Sequence, residues 1–312
     1  MPVSARVATM GDGRVIAVAG AKGGVGKTTT AINLGVALAH AGQTVAVVEL
    51  DLAMANIVDF LQFEPERTLH DVLSGTAPTT EALYPIDDRM HVLPSGTELA
   101  EFNAINVAAL APVIRSLRPA YDFVLLDTAA GVSPETIYPL RLADEVLIVS
   151  TPRVASIRDG KKTIELAHRV NGEVMGVVFV RAGTGRAPPP ERLATFLETD
   201  LIGAVPEDET VAAAQDMSQP ICLFDPDSPA ATAYQEIADS LVLGDTADDG
   251  DDDAVLGRGG VADLQNAEAI AKSAAKADPD GMDGATKPLE SDALTTGDPD
   301  DNGFEFVKRK GE

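Results

Sequence analysis

Residues 20–30 read Gly20-Ala-Lys-Gly-Gly-Val-Gly-Lys-Thr-Thr-Thr30. The apolar run Arg14–Gly20 that leads into them predicts a buried strand, and the residues from Lys27 onward predict a helix. A glycine-rich turn in this context binds phosphate, because the glycines let backbone N–H groups point inward at phosphate oxygens. The segment therefore predicts a nucleoside triphosphate site inside an α/β domain.

Each residue type in this loop suits one part of a nucleotide. Lys27 places a positive charge near the β- and γ-phosphates, the Thr28 hydroxyl can bind Mg²⁺, and Thr29 can reach the α-phosphate. The predicted phosphate-binding residues are Gly23, Gly24, Val25, Gly26, Lys27, Thr28 and Thr29.

Two aspartates follow later apolar runs. Asp51 ends the run from Val47, and Asp127 ends the run from Phe123. Because parallel strands end at one edge of the sheet, we expect both carboxylates beside the phosphate loop. Asp51 can orient an attacking water and reach the metal's hydration shell, and Asp127 can hold Mg²⁺ through water. The alternatives are a helix cap at Asp51 and a solvated strand end at Asp127.

The string KGGVGKTT from Lys22 to Thr29 resembles the deviant Walker A motif of the MinD/ParA family, and the resemblance covers residues 14 to about 243. It implies an ATPase that uses ATP and Mg²⁺ and forms an ATP-dependent homodimer. In that family the lysine equivalent to Lys22 reaches across the dimer to the partner's nucleotide. The resemblance thus assigns catalytic roles to Lys22, Lys27 and Asp51, and metal binding to Thr28, Asp51 and Asp127.

The same resemblance extends to later segments. Tyr121–Gly131 is similar to a Walker B motif merged with a switch segment, in which the Gly131 amide would sense the γ-phosphate. Gly203–Asp208 is similar to a loop that wraps adenine, which makes Pro206 and Glu207 candidate nucleotide-binding residues.

Four positions depart from the family's pattern. Glu49 stands where the first Asp of a DxD pair is usual, and it keeps the charge. Ala55 replaces an Arg of the first switch, and Ala129 replaces a Pro of the second. Arg181 follows Val180 where the family usually supplies an Asn that recognises adenine, so base selectivity is less certain than phosphate binding.

Strand-like and helix-like segments alternate along most of the chain. The predicted strands are 14–20, 44–50, 91–93, 123–127, 145–150, 174–180 and 201–205, and the predicted helices are roughly 27–41, 105–118, 156–170, 190–198, 208–216 and 229–243. This pattern predicts an α/β fold with a doubly wound, mainly parallel sheet and helices on both faces. We expect a leader at 1–13, the ATPase domain at 14–243 and an acidic, disordered tail at 244–312. Residues 245–312 carry 18 acidic and 7 basic residues, a composition typical of disorder. Phe304–Lys310 combines two aromatic with three basic residues, which is either a random terminus or a short docking motif.

The composition limits the partners. A net charge of −25, from 49 acidic and 24 basic residues, disfavours DNA binding and predicts a halophilic source, which we interpret as an archaeon. The single cysteine, Cys222, leaves no pair for an iron–sulfur site. No apolar run is long enough to span a bilayer, and no basic amphipathic terminus is visible, so we expect a cytoplasmic protein with no direct membrane binding, or only a weak one.

These observations favour a MinD-like switch whose slow, partner-stimulated hydrolysis positions division, motility, chemosensory or cell-shape machinery. We expect it to bind a protein partner through the basic helix at 153–169 or through the tail, and to concentrate at poles or other sites. The alternative is a ParA-type DNA-partitioning ATPase. A scaffold that binds nucleotide without hydrolysis also stays open.

Overall fold

The structure is a computed structural model that describes residues 13–20, 22–52, 55–96, 109–131, 134–183, 185 and 187–247. Within this part of the chain, eight strands form one sheet. The strands are β1 Arg14–Ala19, β2 Val45–Leu50, β3 Tyr84–Pro85, β4 Met90–Leu93, β5 Phe123–Thr128, β6 Glu145–Ser150, β7 Val174–Ala182 and β8 Leu201–Pro206.

The described α-helices are α1 Lys27–His40, α2 Ile57–Leu61, α3 Leu69–Ser74, α4 Leu110–Leu117, α5 Pro134–Leu142, α6 Val154–Arg169, α7 Pro190–Leu197, α8 Glu209–Asp216, α9 Ile221–Phe224 and α10 Pro229–Ala247. A 3₁₀ turn covers Thr79–Glu81. None of these helices combines the length and apolar character that a bilayer-spanning segment requires.

The strand order is β3-β4-β2-β5-β1-β6-β7-β8. Only β3 runs antiparallel to its neighbour β4, and every other pair is parallel. The strand β1 lies inside the sheet between β5 and β6. Its carboxyl end is therefore next to the carboxyl end of β5 and one strand away from that of β2. This arrangement confirms the predicted α/β fold with a mainly parallel sheet.

The sheet is covered on both faces. Along β1, Val15 and Ala17 pack into one hydrophobic cluster, and Ile16 and Val18 pack into the cluster on the opposite face. Burial on both faces explains why the strand is apolar at every position rather than alternating. Helix α1 is buried along most of its length, because it lies between the sheet and α10.

Polar contacts fix α1 against the C-terminal helices. The Thr30 and Tyr234 hydroxyls lie 3.3 Å apart, and the Asn33 side-chain oxygen accepts a hydrogen bond of 3.1 Å from the Cys222 backbone N–H. The phosphate loop, which ends where α1 begins, is therefore anchored by residues about 200 positions later in the chain.

The predicted strands are all present, with small shifts at their ends. The two-residue strand β3 and the helices α2, α3, α5 and α9 were not predicted from the sequence. Residues 105–108 of the predicted helix 105–118 lie outside the described residues. The predicted helix 229–243 continues to Ala247, beyond the predicted domain end. The leader up to residue 12 and residues 248–312, including the acidic tail and Phe304–Lys310, lie outside the described residues, so the domain boundaries stay a prediction.

Candidate functional site

The phosphate loop has the backbone that its glycines predict. Gly24 and Gly26 have φ angles of 73° and 106°, in the left-handed region that favours glycine. Gly26 is the N-cap of α1 and offers no side chain to the first helical turn. The free N–H groups of that turn form an anion-binding site, as the loop requires. A Cβ on Gly26 would also come within 3.3 Å of Val180.

Lys27, Asp51 and Asp127 come together at the carboxyl ends of the strands. Lys27 is only 8% exposed, and burial lowers its pKa, while the nearby charges of Asp127 and Asp51 act in the opposite direction. One buried cation thus faces two carboxylates. The sequence placed these three residues at one edge of the sheet, and the structure has them there.

Asp127 lies at the centre of the site and is 1% exposed. Neither of its carboxylate oxygens has a hydrogen-bond partner of regular geometry among the described residues. The Thr28 hydroxyl is close enough to lower the pKa of Asp127, yet burial and the neighbouring Glu49 raise that pKa to about 7. A buried carboxylate beside a threonine hydroxyl has the hard oxygen donors that Mg²⁺ prefers. Thr28 and Asp127 therefore fit the expected metal.

Glu49 has contacts that the sequence analysis missed. Its carboxylate is completely buried and accepts backbone N–H groups from Asn56, from Ile57 at 2.9 Å and from Ser95 at 2.9 Å. Burial raises its pKa to about 7 in spite of these hydrogen bonds. The sequence suggested only that Glu49 conserves charge. Asp51, two residues later, is half-buried and lies in the loop between β2 and α2.

A cavity of about 190 Å³ extends from the phosphate loop past the end of β8. It brings the predicted residues Thr29, Pro206 and Glu207 together, as expected for a loop around a base. Residues that the sequence did not suggest also line it: Val211, Ala212, Gln215 and Tyr234. Gln215 donates a hydrogen bond of 3.4 Å to the Thr29 hydroxyl, which connects the cavity wall to the loop. No local motif marks these residues, because they come from α8 and α10.

Arg181 also lines this cavity. It occupies the position where the sequence departs from the family's adenine-recognising Asn. Its φ of 55° is left-handed, which is uncommon for a residue other than Gly, Asn or Asp. A cation capable only of donating hydrogen bonds is therefore held at the edge of the base cavity.

The remaining predicted site residues lie at the borders. Val25 is buried, while Lys22, Gly23 and Gly24 are exposed. Gly131 has a φ of 96° and follows the strand that carries Asp127. The exposed Lys22 has no contact with Asp51 or Asp127 that would give it a catalytic role within one chain.

The basic helix predicted at 153–169 forms as α6 with Arg153 as its N-cap. Arg158, Lys162 and His168 are exposed on it. Lys161 pairs with Glu198 of the segment after α7 at 3.3 Å and lies 5.7 Å from the centre of the exposed Phe196 ring. The surface therefore mixes positive charge with an exposed aromatic ring.

Comparison with known proteins agrees with this site. A family model described as ParA, NUBPL iron-transfer P-loop NTPase matches residues 13–242. An uncharacterized ATP-binding protein of Methanocaldococcus jannaschii is 36% identical over 229 residues, 73% of this chain and 87% of its own length. The antiactivator FleN of Pseudomonas aeruginosa is 31% identical over 242 residues, 73% of this chain and 86% of its own length.

Solved structures give the same result. The cell division ATPase MinD of Pyrococcus furiosus superposes with a TM-score of 0.71 at 32% identity, and the match covers 74% of this chain and 99% of that one. MinD of Pyrococcus horikoshii, solved with Mg-ADP, has a TM-score of 0.70 at 29% identity, with 75% and 99% covered. MinD of Aquifex aeolicus in a MinC:MinD complex has a TM-score of 0.62 at 28% identity, with 79% and 100% covered. The chain therefore belongs to the ParA/MinD family of P-loop NTPases, whose typical cofactors are ATP and Mg²⁺.

Proposed function

We propose that this chain hydrolyses ATP as a switch that dimerises on ATP and helps to position cellular machinery. Members of its family are ATPases, and its relatives include MinD and FleN. The observation that carries the proposal is the meeting of Lys27, Asp51 and Asp127 beside a glycine loop. A protein that only bound nucleotide would not need a carboxylate at Asp51.

The residues divide the work of phosphoryl transfer. Backbone N–H groups of the loop and Lys27 bind the phosphates, and Thr28 and Asp127 would hold Mg²⁺, which when bound would neutralise charge on the phosphate oxygens. Asp51 accepts a hydrogen bond from a water and aims its oxygen at the γ-phosphorus. The water oxygen bonds to that phosphorus as the bond to the β–γ bridging oxygen breaks, a proton of the water passes to solvent, and ADP and phosphate leave. Turnover is slow until a partner stimulates it.

Dimerisation gives Lys22 its role. Lys22 is exposed on the loop, where it can reach the nucleotide of a second copy. Gly131, after the metal-binding strand, is placed to respond to the γ-phosphate. Binding of ATP then changes the surface that a partner meets, and hydrolysis reverses the change.

The partner surface proposed here is α6 with its exposed Arg158, Lys162 and His168. An acidic protein surface would complement it. The tail is the other candidate. We propose a cytoplasmic protein that concentrates at poles or other sites through this partner, with no direct membrane binding or only a weak one. DNA is disfavoured as a partner by the net charge of −25.

The iron transfer named for the family model is not part of this proposal. Cys222 is the one cysteine of the chain, it is 4% exposed, and burial raises its pKa to about 12. A thiol in that environment is a poor metal ligand, because ligation requires the thiolate.

Hydrolysis is tested first, with Asp51→Asn beside Asp59→Asn. Asp59 is an exposed carboxylate on α2, eight residues further along the chain, so it controls for loss of negative charge in the same region. We expect phosphate release from ATP to fall by about a hundredfold in the first variant and to stay unchanged in the second. Equal rates in both variants and the wild type would reject Asp51 as the water-orienting group.

Positioning is tested by imaging a fluorescent fusion in its native cell, wild type beside Lys27→Ala. A patterned signal that becomes diffuse in the variant supports a nucleotide-driven positioning switch. Uniform signal in both would contradict the positioning role, and a signal that follows the DNA would favour partitioning instead.

A further inference from the structure

One buried side chain, that of Glu49, connects the segments on either side of Asp51. Glu49 is the fifth residue of β2, and its two carboxylate oxygens receive three backbone N–H groups. One oxygen accepts from Asn56 and Ile57, where α2 begins, and the other accepts from Ser95, just after β4. Glu49, at the end of β2, is thus joined by hydrogen bonds to the start of α2, and we call this connection the closure.

The third N–H group belongs to a second segment that is itself fixed. Gly96 donates its backbone N–H to the Nδ1 atom of His70 on α3 at 2.8 Å, and the Ser95 hydroxyl lies 3.3 Å from the same nitrogen. His70 and Ser95 are both buried. Glu49 therefore links β2, the start of α2 and a rigid support that comes from α3.

This arrangement has little purpose as packing alone. Burying a carboxylate is costly unless hydrogen bonds compensate it, and an apolar side chain of the same size would fill the space without that cost. A carboxylate, unlike an apolar group, can accept N–H groups from two separate segments at the same time. Asp51 directly follows β2, between Glu49 and the start of α2 in the chain, so these bonds restrict its position.

We propose that Glu49 is a positioning residue, which joins the end of β2 to the start of α2 and thereby holds Asp51 where it can orient the attacking water. Glu49 acts through Asp51 and not on the nucleotide. The inference rests on the proposed hydrolysis at this site, and it predicts a separation between two measured quantities. Loss of the closure lowers turnover, while nucleotide affinity, which depends on the phosphate loop, is retained.

The test compares Glu49→Gln with Asp122→Asn. Glutamine keeps the shape of the side chain but turns one acceptor oxygen into an amide that donates. Asp122 accepts the Thr44 backbone N–H at 2.7 Å at the amino ends of β2 and β5, so its variant loses a carboxylate–backbone bond at the edge of the sheet opposite the site. We expect Glu49→Gln to lower kcat at least about tenfold with the Kd for a fluorescent ATP analogue within about threefold, and Asp122→Asn to leave both unchanged.

Three results would overturn the inference. The first is a kcat within about twofold of wild type in Glu49→Gln, and the second is an equal loss of kcat in Asp122→Asn, which would reduce the effect to stability. The third is a nucleotide affinity that falls as much as kcat does, which would place Glu49 on the nucleotide or metal itself. If Glu49→Gln does not fold, Glu49→Asp keeps the charge on a shorter side chain and should show the same separation to a smaller degree.

Hydrogen exchange separates this inference from the proposed function. The backbone amides of Asn56, Ile57 and Ser95 should exchange faster in Glu49→Gln than in wild type, with the remaining amides of β2 unchanged. A wild type without ATP turnover would contradict the proposed function, and faster exchange at these amides would still support the closure. Unchanged exchange at all three would reject the closure even in an active ATPase.

Discussion

Glu49 and Asp127 stand opposite each other on the neighbouring parallel strands β2 and β5. Both carboxyl groups are buried, and the proximity of Glu49 disfavours the charge of Asp127. The pKa of each is raised to about 7. They differ in their contacts, since Glu49 is saturated with backbone N–H groups while Asp127 has no hydrogen-bond partner of regular geometry in the described part of the chain. This difference is the basis for proposing separate tasks, positioning for Glu49 and metal binding for Asp127.

Binding of Mg²⁺ with nucleotide should release a proton near neutral pH. Asp127 holds its proton below its pKa of about 7, and the metal needs the carboxylate. We expect Mg²⁺ affinity to rise by about tenfold per pH unit below that value and to level off above it. Calorimetry in buffers of different ionisation enthalpy measures the proton release directly. Asp127→Asn should abolish it, and identical release in that variant would contradict the assignment.

The two lysines of the phosphate loop should have separable effects. Loss of the buried Lys27 removes a charge-assisted contact to phosphate, so Lys27→Ala should weaken ATP binding by about 10- to 100-fold. Lys22→Ala should leave the Kd of the monomer within about threefold and prevent the ATP-dependent dimer. Light scattering with and without ATP, at matched saturation, measures the second effect. A dimer that persists in Lys22→Ala would reject the role of Lys22 across the interface.

Arg181 should reduce the preference for adenine. A guanidinium only donates hydrogen bonds, and guanine offers the O6 acceptor where adenine has an amino group. We expect Arg181→Asn to raise the ratio of ATP to GTP affinity by about tenfold, and asparagine tolerates the left-handed φ of 55° at this position. Competition against a fluorescent nucleotide gives the ratio. Arg153→Asn on the basic helix is the control, and an equal change there would remove Arg181 from base selection.

The excess of acidic residues should make stability depend on salt. The acidic side chains that give the net charge of −25 repel one another, and salt of about 1 M shrinks the Debye length to roughly 3 Å. We therefore expect Tm to rise with KCl up to that range, by several degrees. Sucrose at matched viscosity controls for effects unrelated to charge. A Tm that is flat in KCl would contradict both the repulsion and the predicted halophilic source.

The phosphate loop and the main strands could be predicted because their causes are local. The glycines of residues 20–30 allow a tightly turned backbone. The strand β1 is apolar throughout because both of its faces are buried. Asp51 and Asp127 were found by the same logic, since each ends an apolar run.

What the sequence could not reveal depends on distant segments meeting. The role of Glu49 requires Ser95 to approach it, and the contact between Gln215 and Thr29 joins residues far apart in the chain. The helices α2 and α3 were missed for a different reason, since five and six residues are too few for a helical pattern to stand out. The positions of α2 and α3 depend on the residues that cap them and on the residues against which they pack.

The central place of β1 has a consequence for biosynthesis. Its hydrogen-bonding edges are filled only by β5 and β6, where Arg14 pairs with Phe123 and Ile16 pairs with Glu145. The strand β1 leaves the ribosome early, and both of its edges stay unpaired until β5 and β6 have been translated. Contacts that close such long loops form slowly, and exposed strand edges invite aggregation. Binding of chaperones to the nascent chain should therefore be strongest midway through translation, before the sheet that supports the phosphate loop has formed.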